Sequence, residues 1–109
     1  MGTDICQISR MKLSLSKRIL TKDELAIYDG ITLEQSKLEF LAGRFSAKEA
    51  IYKALSDRYP KLGMRDVTIL NDAYGRPQVI QPTFDDLRVL VSISHEKEYA
   101  IALAIVEER

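Results

Sequence analysis

Between Leu33 and Tyr59 the chain has no proline and one glycine, Gly43, and Pro60 follows at once. Leu38, Leu41, Phe45, Tyr52 and Leu55 recur there at helical spacing, which predicts one long helix closed by Pro60. Upstream, Thr21-Lys22-Asp23-Glu24 is a capping-box pattern, in which the threonine hydroxyl takes an orphan amide while Glu24 reaches back. A short helix from Lys22 to Tyr28 should follow, ended by Asp29-Gly30. Thr32 with Gln35 three residues on is a weaker start signal for the long helix.

After Gly63 the pattern turns to strands. Val67-Thr68-Ile69-Leu70 and Gln78-Val79-Ile80 flank the turn chemistry of Asn71-Asp72-Ala73-Tyr74-Gly75. Arg88 to Ser94 and Tyr99 to Val106 are separated by the polar break His95-Glu96-Lys97-Glu98, which suggests an antiparallel hairpin. Helices first and strands afterwards read as an α+β fold, a long central helix packed on a small antiparallel sheet, in one domain spanning 1–109. The last strand, Ala100-Ile101-Ala102-Leu103-Ala104-Ile105-Val106, does not alternate, so both of its faces should be covered. The long helix covers one. The other meets either another subunit or the short helices and loops of the same chain.

Charge narrows the function classes. Sixteen Lys and Arg balance sixteen Asp and Glu, which argues against gripping nucleic acid or a membrane through bulk positive field. The longest apolar run, Tyr99 to Val106, is far short of the ~20 residues that span a bilayer. Asp4, Arg10 and Lys12 interrupt any leader-like pattern, and the single cysteine, Cys6, fits a reducing compartment and core packing. A cytoplasmic protein is expected.

With Phe45 as reference at about 100° per residue, Tyr52 lies about 20° to one side and Glu49 about 40° to the other. Glu49 therefore stands near the core stripe, where an ionised carboxylate needs a partner. Lys53, one turn on, could pair with it, and Lys48 falls on the opposite flank. On spacing alone this is a helix-edge ion pair with snorkelling lysines. Asp4 by itself reads as an N-cap for a helix from Ile5 to Lys12.

The stretch Phe40-Leu41-Ala42-Gly43-Arg44-Phe45-Ser46-Ala47-Lys48-Glu49-Ala50-Ile51-Tyr52-Lys53-Ala54 closely resembles the signature helix of the holo-(acyl-carrier-protein) synthases, the small 4′-phosphopantetheinyl transferases. Three further pieces resemble that family in its order. They are Gly2-Thr3-Asp4-Ile5, the run from Ile69 to Gly75-Arg76-Pro77, and Val91-Ser92-Ile93-Ser94-His95 continuing to Tyr99-Ala100. The family usually has a few apolar strand residues before G-x-D-I. The segment from Arg10 to Ile19 is short, so the first helix should be curtailed.

The resemblance implies the 4′-phosphopantetheinyl transferase fold, a homotrimer with active sites between subunits, and transfer of phosphopantetheine from coenzyme A to a serine of acyl carrier protein, in fatty acid biosynthesis. Adenosine 3′,5′-bisphosphate leaves. Breaking a pyrophosphate linkage calls for a divalent cation and basic side chains to neutralise the leaving phosphate. Mg²⁺ takes one or two carboxylates plus phosphates and water, and the resemblance makes Asp4 and Glu49 its ligands. Lys48 and Lys53 would face the diphosphate, or either could be structural, with Lys53 the better fit because it lies near Glu49 on the helix surface. Arg44 is either a phosphate fork or an arginine packed along the helix. His95, with Ser94, would contact a nucleotide phosphate, and Gly75 and Pro77 would lie on the adenine side or be turn chemistry only. Glu49, or a metal-bound water it holds, would accept the serine proton. Arg10, Lys12, Lys17 and Arg18 form a local basic stretch, and the resemblance places Arg10 and Met11 against the acidic carrier. The rival of a different class is a non-catalytic module that binds carrier protein or coenzyme A with the same fold.

Overall fold

The computed structural model describes residues 1–109. Three strands form the main sheet: β1 (Gly2–Gln7), β4 (Leu87–His95) and β5 (Tyr99–Glu108), in the order β1-β5-β4 and antiparallel throughout. A separate hairpin pairs β2 (Thr68–Asn71) with β3 (Pro77–Gln81). The helices are α1 (Ser16–Ile19), α2 (Lys22–Asp29) and α3 (Glu34–Leu55). No helix is long and apolar enough to cross a membrane.

Helix α3 lies across one face of the sheet because that face is made of small residues. Ala100, Ala102 and Ala104 of β5 are buried, and they let the helix backbone come close. The approach is tight at Gly2 of β1, where a Cβ would fall 2.1 Å from the Ala50 carbonyl oxygen. Any side chain there would push β1 off the helix. Alternation then sends Gly2, Asp4 and Cys6 toward α3 and Thr3, Ile5 and Gln7 away from it.

Asp4 is therefore a strand residue, and the expected N-cap with its helix from Ile5 to Lys12 is overturned. Ile5 pairs with Ile101 and Cys6 with Ala100, so ladder hydrogen bonding and burial outweigh the local capping signal. After β1 the chain makes only 3-10 turns at Ile8–Arg10 and Leu13–Leu15, followed by the four-residue α1. The curtailed first helix was expected. Helix α2 runs as anticipated, and the Thr21 amide donates to Glu24 Oε1 at 2.9 Å. Helix α3 stops at Leu55, a turn before the expected end near Tyr59. The residue preceding Pro60 is sterically pushed out of helical geometry, and Tyr59 instead sets its ring edge-on to Phe84, centroids 5.0 Å apart.

The face of the sheet away from α3 is open. Ile5 is 61% exposed, Ile101 50%, Leu90 38% and Ile105 36%. Register joins them into one surface, with Ile5 opposite Ile101 and Leu90 opposite Ile105. The expectation that both faces of the last strand are covered fails within the single chain, and so does the alternative that loops of the same chain fill the second face.

Candidate active site

The close approach of β1 to α3 places Asp4 beside the last turns of the helix. Lys53 Nζ donates to Asp4 Oδ1 at 3.0 Å and to the Thr3 carbonyl at 3.0 Å. Asp4 Oδ2 is buried and has no hydrogen-bond partner. A buried carboxylate oxygen without a donor is costly, and such an atom calls for an explanation. Asp4 and Glu49 share a cleft of about 450 Å³ whose wall also includes Cys6, Arg10, Met11 and Phe45. Strand β1, the turn after it and α3 thus bring together residues widely separated along the chain. The Glu49–Lys53 ion pair expected from helical spacing is not made, because Lys53 bonds Asp4 instead.

Two carboxylates with one unsatisfied oxygen suit a divalent cation of the Mg²⁺ type, which keeps most of its shell for water and phosphate oxygens. No third histidine, cysteine or carboxylate completes a cluster that would hold a metal by protein ligands alone. The donor set fits a cation shared with a phosphate substrate.

Lys48 does something else. Its side chain is 1% exposed, and its ammonium donates to Glu24 Oε1 at 2.5 Å, the Ile19 carbonyl at 2.7 Å and the Met64 carbonyl at 2.9 Å. All three protons are taken. Burial pulls the ammonium below the ordinary lysine range, while Glu24 opposes that shift. Glu24 Oε2 in turn accepts from the Ile69 amide at 2.9 Å, tying α2 to β2. The expectation that Lys48 faces a diphosphate is corrected: its charge is consumed in joining α1, α2 and the turn at Met64–Asp66 to α3. Sequence pattern marks the buried partner, Glu24, only as a capping residue. A lysine flanking an apolar seam is the one local signal, and it equally describes a lysine that snorkels to water.

Arg44 is neither a lone phosphate fork nor a surface arginine. It is buried, with Nε donating to the Ile69 carbonyl at 3.1 Å and Nη2 to Asn71 Oδ1 at 3.2 Å, and its guanidinium stacks 4.5 Å from the Phe40 ring centroid. Burial lowers its pKa, opposed by Glu24. Arg44 and His95 line a second cavity of about 290 Å³, together with Phe40, Asn71 and Glu39. His95 is the last residue of β4, and the exposed Ser94 precedes it opposite Ile101.

Gly75 and Pro77 line neither cavity. Gly75 sits at the hairpin tip with φ +81°, a conformation that glycine adopts without strain, and Asp72 Oδ1 fixes the turn through the Tyr74 and Arg76 amides. Pro77 pairs with Asn71, so the hairpin begins at the edge of the second cavity. Arg10 is exposed at the first cleft, while Met11 is mostly enclosed by the core beside Cys6, Ile8 and Leu20. Burial raises the Cys6 thiol pKa, with the Asp4 charge adding to it, which suits a packing role.

The sequence model of the 4′-phosphopantetheinyl transferase superfamily matches residues 1–104. A holo-(acyl-carrier-protein) synthase of Staphylococcus aureus is 40% identical over 114 residues, covering 98% of this chain and 93% of the relative. Among solved structures, a holo-(acyl-carrier-protein) synthase from Bacillus anthracis in complex with CoA (3′,5′-ADP) is 38% identical, with a TM-score of 0.84 over 98% of this chain and 93% of that one. That of Thermotoga maritima is 31% identical with a TM-score of 0.85, covering 99% of this chain and 62% of its own. The match runs through the signature helix, the strand that carries Asp4 and the hairpin that carries His95, and this chain belongs to the 4′-phosphopantetheinyl transferase superfamily.

Proposed function

We propose that the chain is a holo-(acyl-carrier-protein) synthase, transferring 4′-phosphopantetheine from coenzyme A to a serine of apo acyl carrier protein and releasing adenosine 3′,5′-bisphosphate. The observation that carries this is the Asp4 carboxylate, half paired with Lys53 and half unsatisfied, in one cleft with Glu49. Asp4 and Glu49 would hold Mg²⁺, which when bound supplies positive charge against the diphosphate.

The protein's own groups supply the rest. Lys53 holds Asp4 in place and presents its ammonium, half exposed, to the phosphate that leaves. Glu49 on the cleft wall is the acceptor for the serine proton. Arg10, at the mouth of the same cleft, meets the acidic carrier, and Met11 offers only an edge there. Arg44 and His95 take the phosphate remote from the diphosphate, with Ser94, Gly75 and Pro77 toward the nucleoside.

Two separate cavities for one extended substrate, together with an open apolar sheet face, support an assembly in which neighbouring copies complete each other's sites. A homotrimer is the proposed state, and the cytoplasm the proposed location. The test is to mix the protein, coenzyme A, Mg²⁺ and apo carrier protein and weigh the carrier. One phosphopantetheine is gained, and EDTA abolishes the gain. An unmodified carrier would overturn the proposal in favour of a binding module.

A further inference from the structure

Arg44 approaches Asn71 with Nη2, a group that can only donate. The Asn71 atom 3.2 Å away must therefore be the carbonyl oxygen, and the two amide protons point elsewhere. No protein acceptor takes them, and Asn71 is an exposed residue, so its amide protons are free to meet solvent or a ligand. Asn71 lines the cavity that Arg44 and His95 line. Arg44 is in the same condition. Nε is engaged by Ile69 and Nη2 by Asn71, while Nη1 has no protein partner. Phe40 fixes the plane of the guanidinium.

Three donor groups thus converge on one cavity with protons unused: Arg44 Nη1, Asn71 Nδ2 and the His95 ring. One acid, Glu39, also lines the cavity, and Gln35 Nε2 engages it at 3.3 Å. A set of donors around one cation suits a tetrahedral anion with several acceptor oxygens.

We infer that Asn71 is a substrate-binding residue: Oδ1 holds Arg44 while Nδ2 donates to the 3′-phosphate of coenzyme A, so that Asn71 helps distinguish coenzyme A from its 3′-dephospho form. This inference rests on the transferase assignment. The hairpin position suits the role, because Asn71 ends β2 opposite Pro77, and the turn that follows sets its place beside α3.

Asn71→Asp separates donation from mere support. It keeps an oxygen for Arg44 and nearly the same shape, but removes the amide protons and adds a charge facing the anion. The ratio of kcat/KM for coenzyme A to that for 3′-dephospho-coenzyme A should fall about tenfold or more relative to the unaltered chain. Asn71→Ala, which also releases Arg44, should lower it at least as far. A residue that only braced the fold would depress both substrates together and leave the ratio where it was. An unchanged ratio in Asn71→Asp overturns the inference, as does an unaltered protein that uses both substrates equally well.

If the protein transferred nothing, the transferase assignment would fall, and direct binding would still judge Asn71. Adenosine 3′,5′-bisphosphate should bind more tightly than adenosine 5′-monophosphate, and Asn71→Asp should narrow that gap about tenfold. A gap left as wide as before would again overturn the inference.

Discussion

Lys48 and Lys53 stand on the same helix and each meets a carboxylate from another element, yet their surroundings differ in how completely the polar atoms are matched. Around Lys48, each ammonium proton has an acceptor, and both Glu24 oxygens have donors from Lys48, Thr21 and Ile69. Around Lys53, one Asp4 oxygen is paired and the other is buried with nothing. The first pair is dry. The second opens on a cleft, and the Lys53 side chain is 52% exposed. Completed networks hold elements together, whereas a deliberately incomplete one keeps a coordination position for something that arrives later.

Lys48→Met should produce the largest effect. It leaves Glu24 buried without its cation, which typically costs about 3–5 kcal/mol, read as a fall in the urea midpoint at unchanged slope. Adding Glu24→Gln should recover part of that loss, because the pair then disappears as a unit. If Lys48→Met instead kept full stability and lost turnover, Lys48 would belong with the phosphate after all.

Asp4→Asn is the mirror experiment. Stability should hold nearly unchanged, since removing a half-paired buried charge offsets the loss of its partly exposed ion pair with Lys53. Turnover should fall on the order of a hundredfold. Comparable losses of stability in the two variants would erase the distinction between the pairs, and an Asp4→Asn enzyme of full activity would remove the carboxylate from the chemistry.

That contrast also explains what could be read from sequence. The long helix, the capped α2 and the final hairpin were legible because each is written in local periodicity and turn chemistry. The same local reading made a helix cap of Asp4, since nothing within four residues reveals that Ile5 and Cys6 will pair with Ile101 and Ala100. Glu49 was legible as an acid near an apolar stripe. Its company was not, because the helical neighbour Lys53 reaches across to β1 rather than along α3. Glu24 and Lys48 are separated by a loop and most of a helix, and only the packed structure shows that one neutralises the other. The open sheet face was anticipated in part: the missing alternation in β5 was real, but a single chain leaves that face uncovered.

Arg10 and Met11 repeat the contrast at smaller scale, and they predict the smallest of the effects. They are sequence neighbours at one cleft, but Arg10 is exposed and Met11 is 8% exposed within the core. Carrier recognition should therefore fall on the arginine. Arg10→Glu should raise the KM for an acidic carrier about tenfold at low salt, chiefly by slowing association, and added salt should narrow the difference because exposed charges are screened beyond about 10 Å at 0.1 M. The KM for coenzyme A should hold. Met11→Ala should lower stability before it touches carrier affinity, since it empties space against Ile8 and Leu20. An Arg10→Glu enzyme in which both KM values rise together would mean that the charge acts on the cleft as a whole, and the carrier would then have to dock by another route, with Lys12, Lys17 and Arg18 the remaining basic groups of that segment.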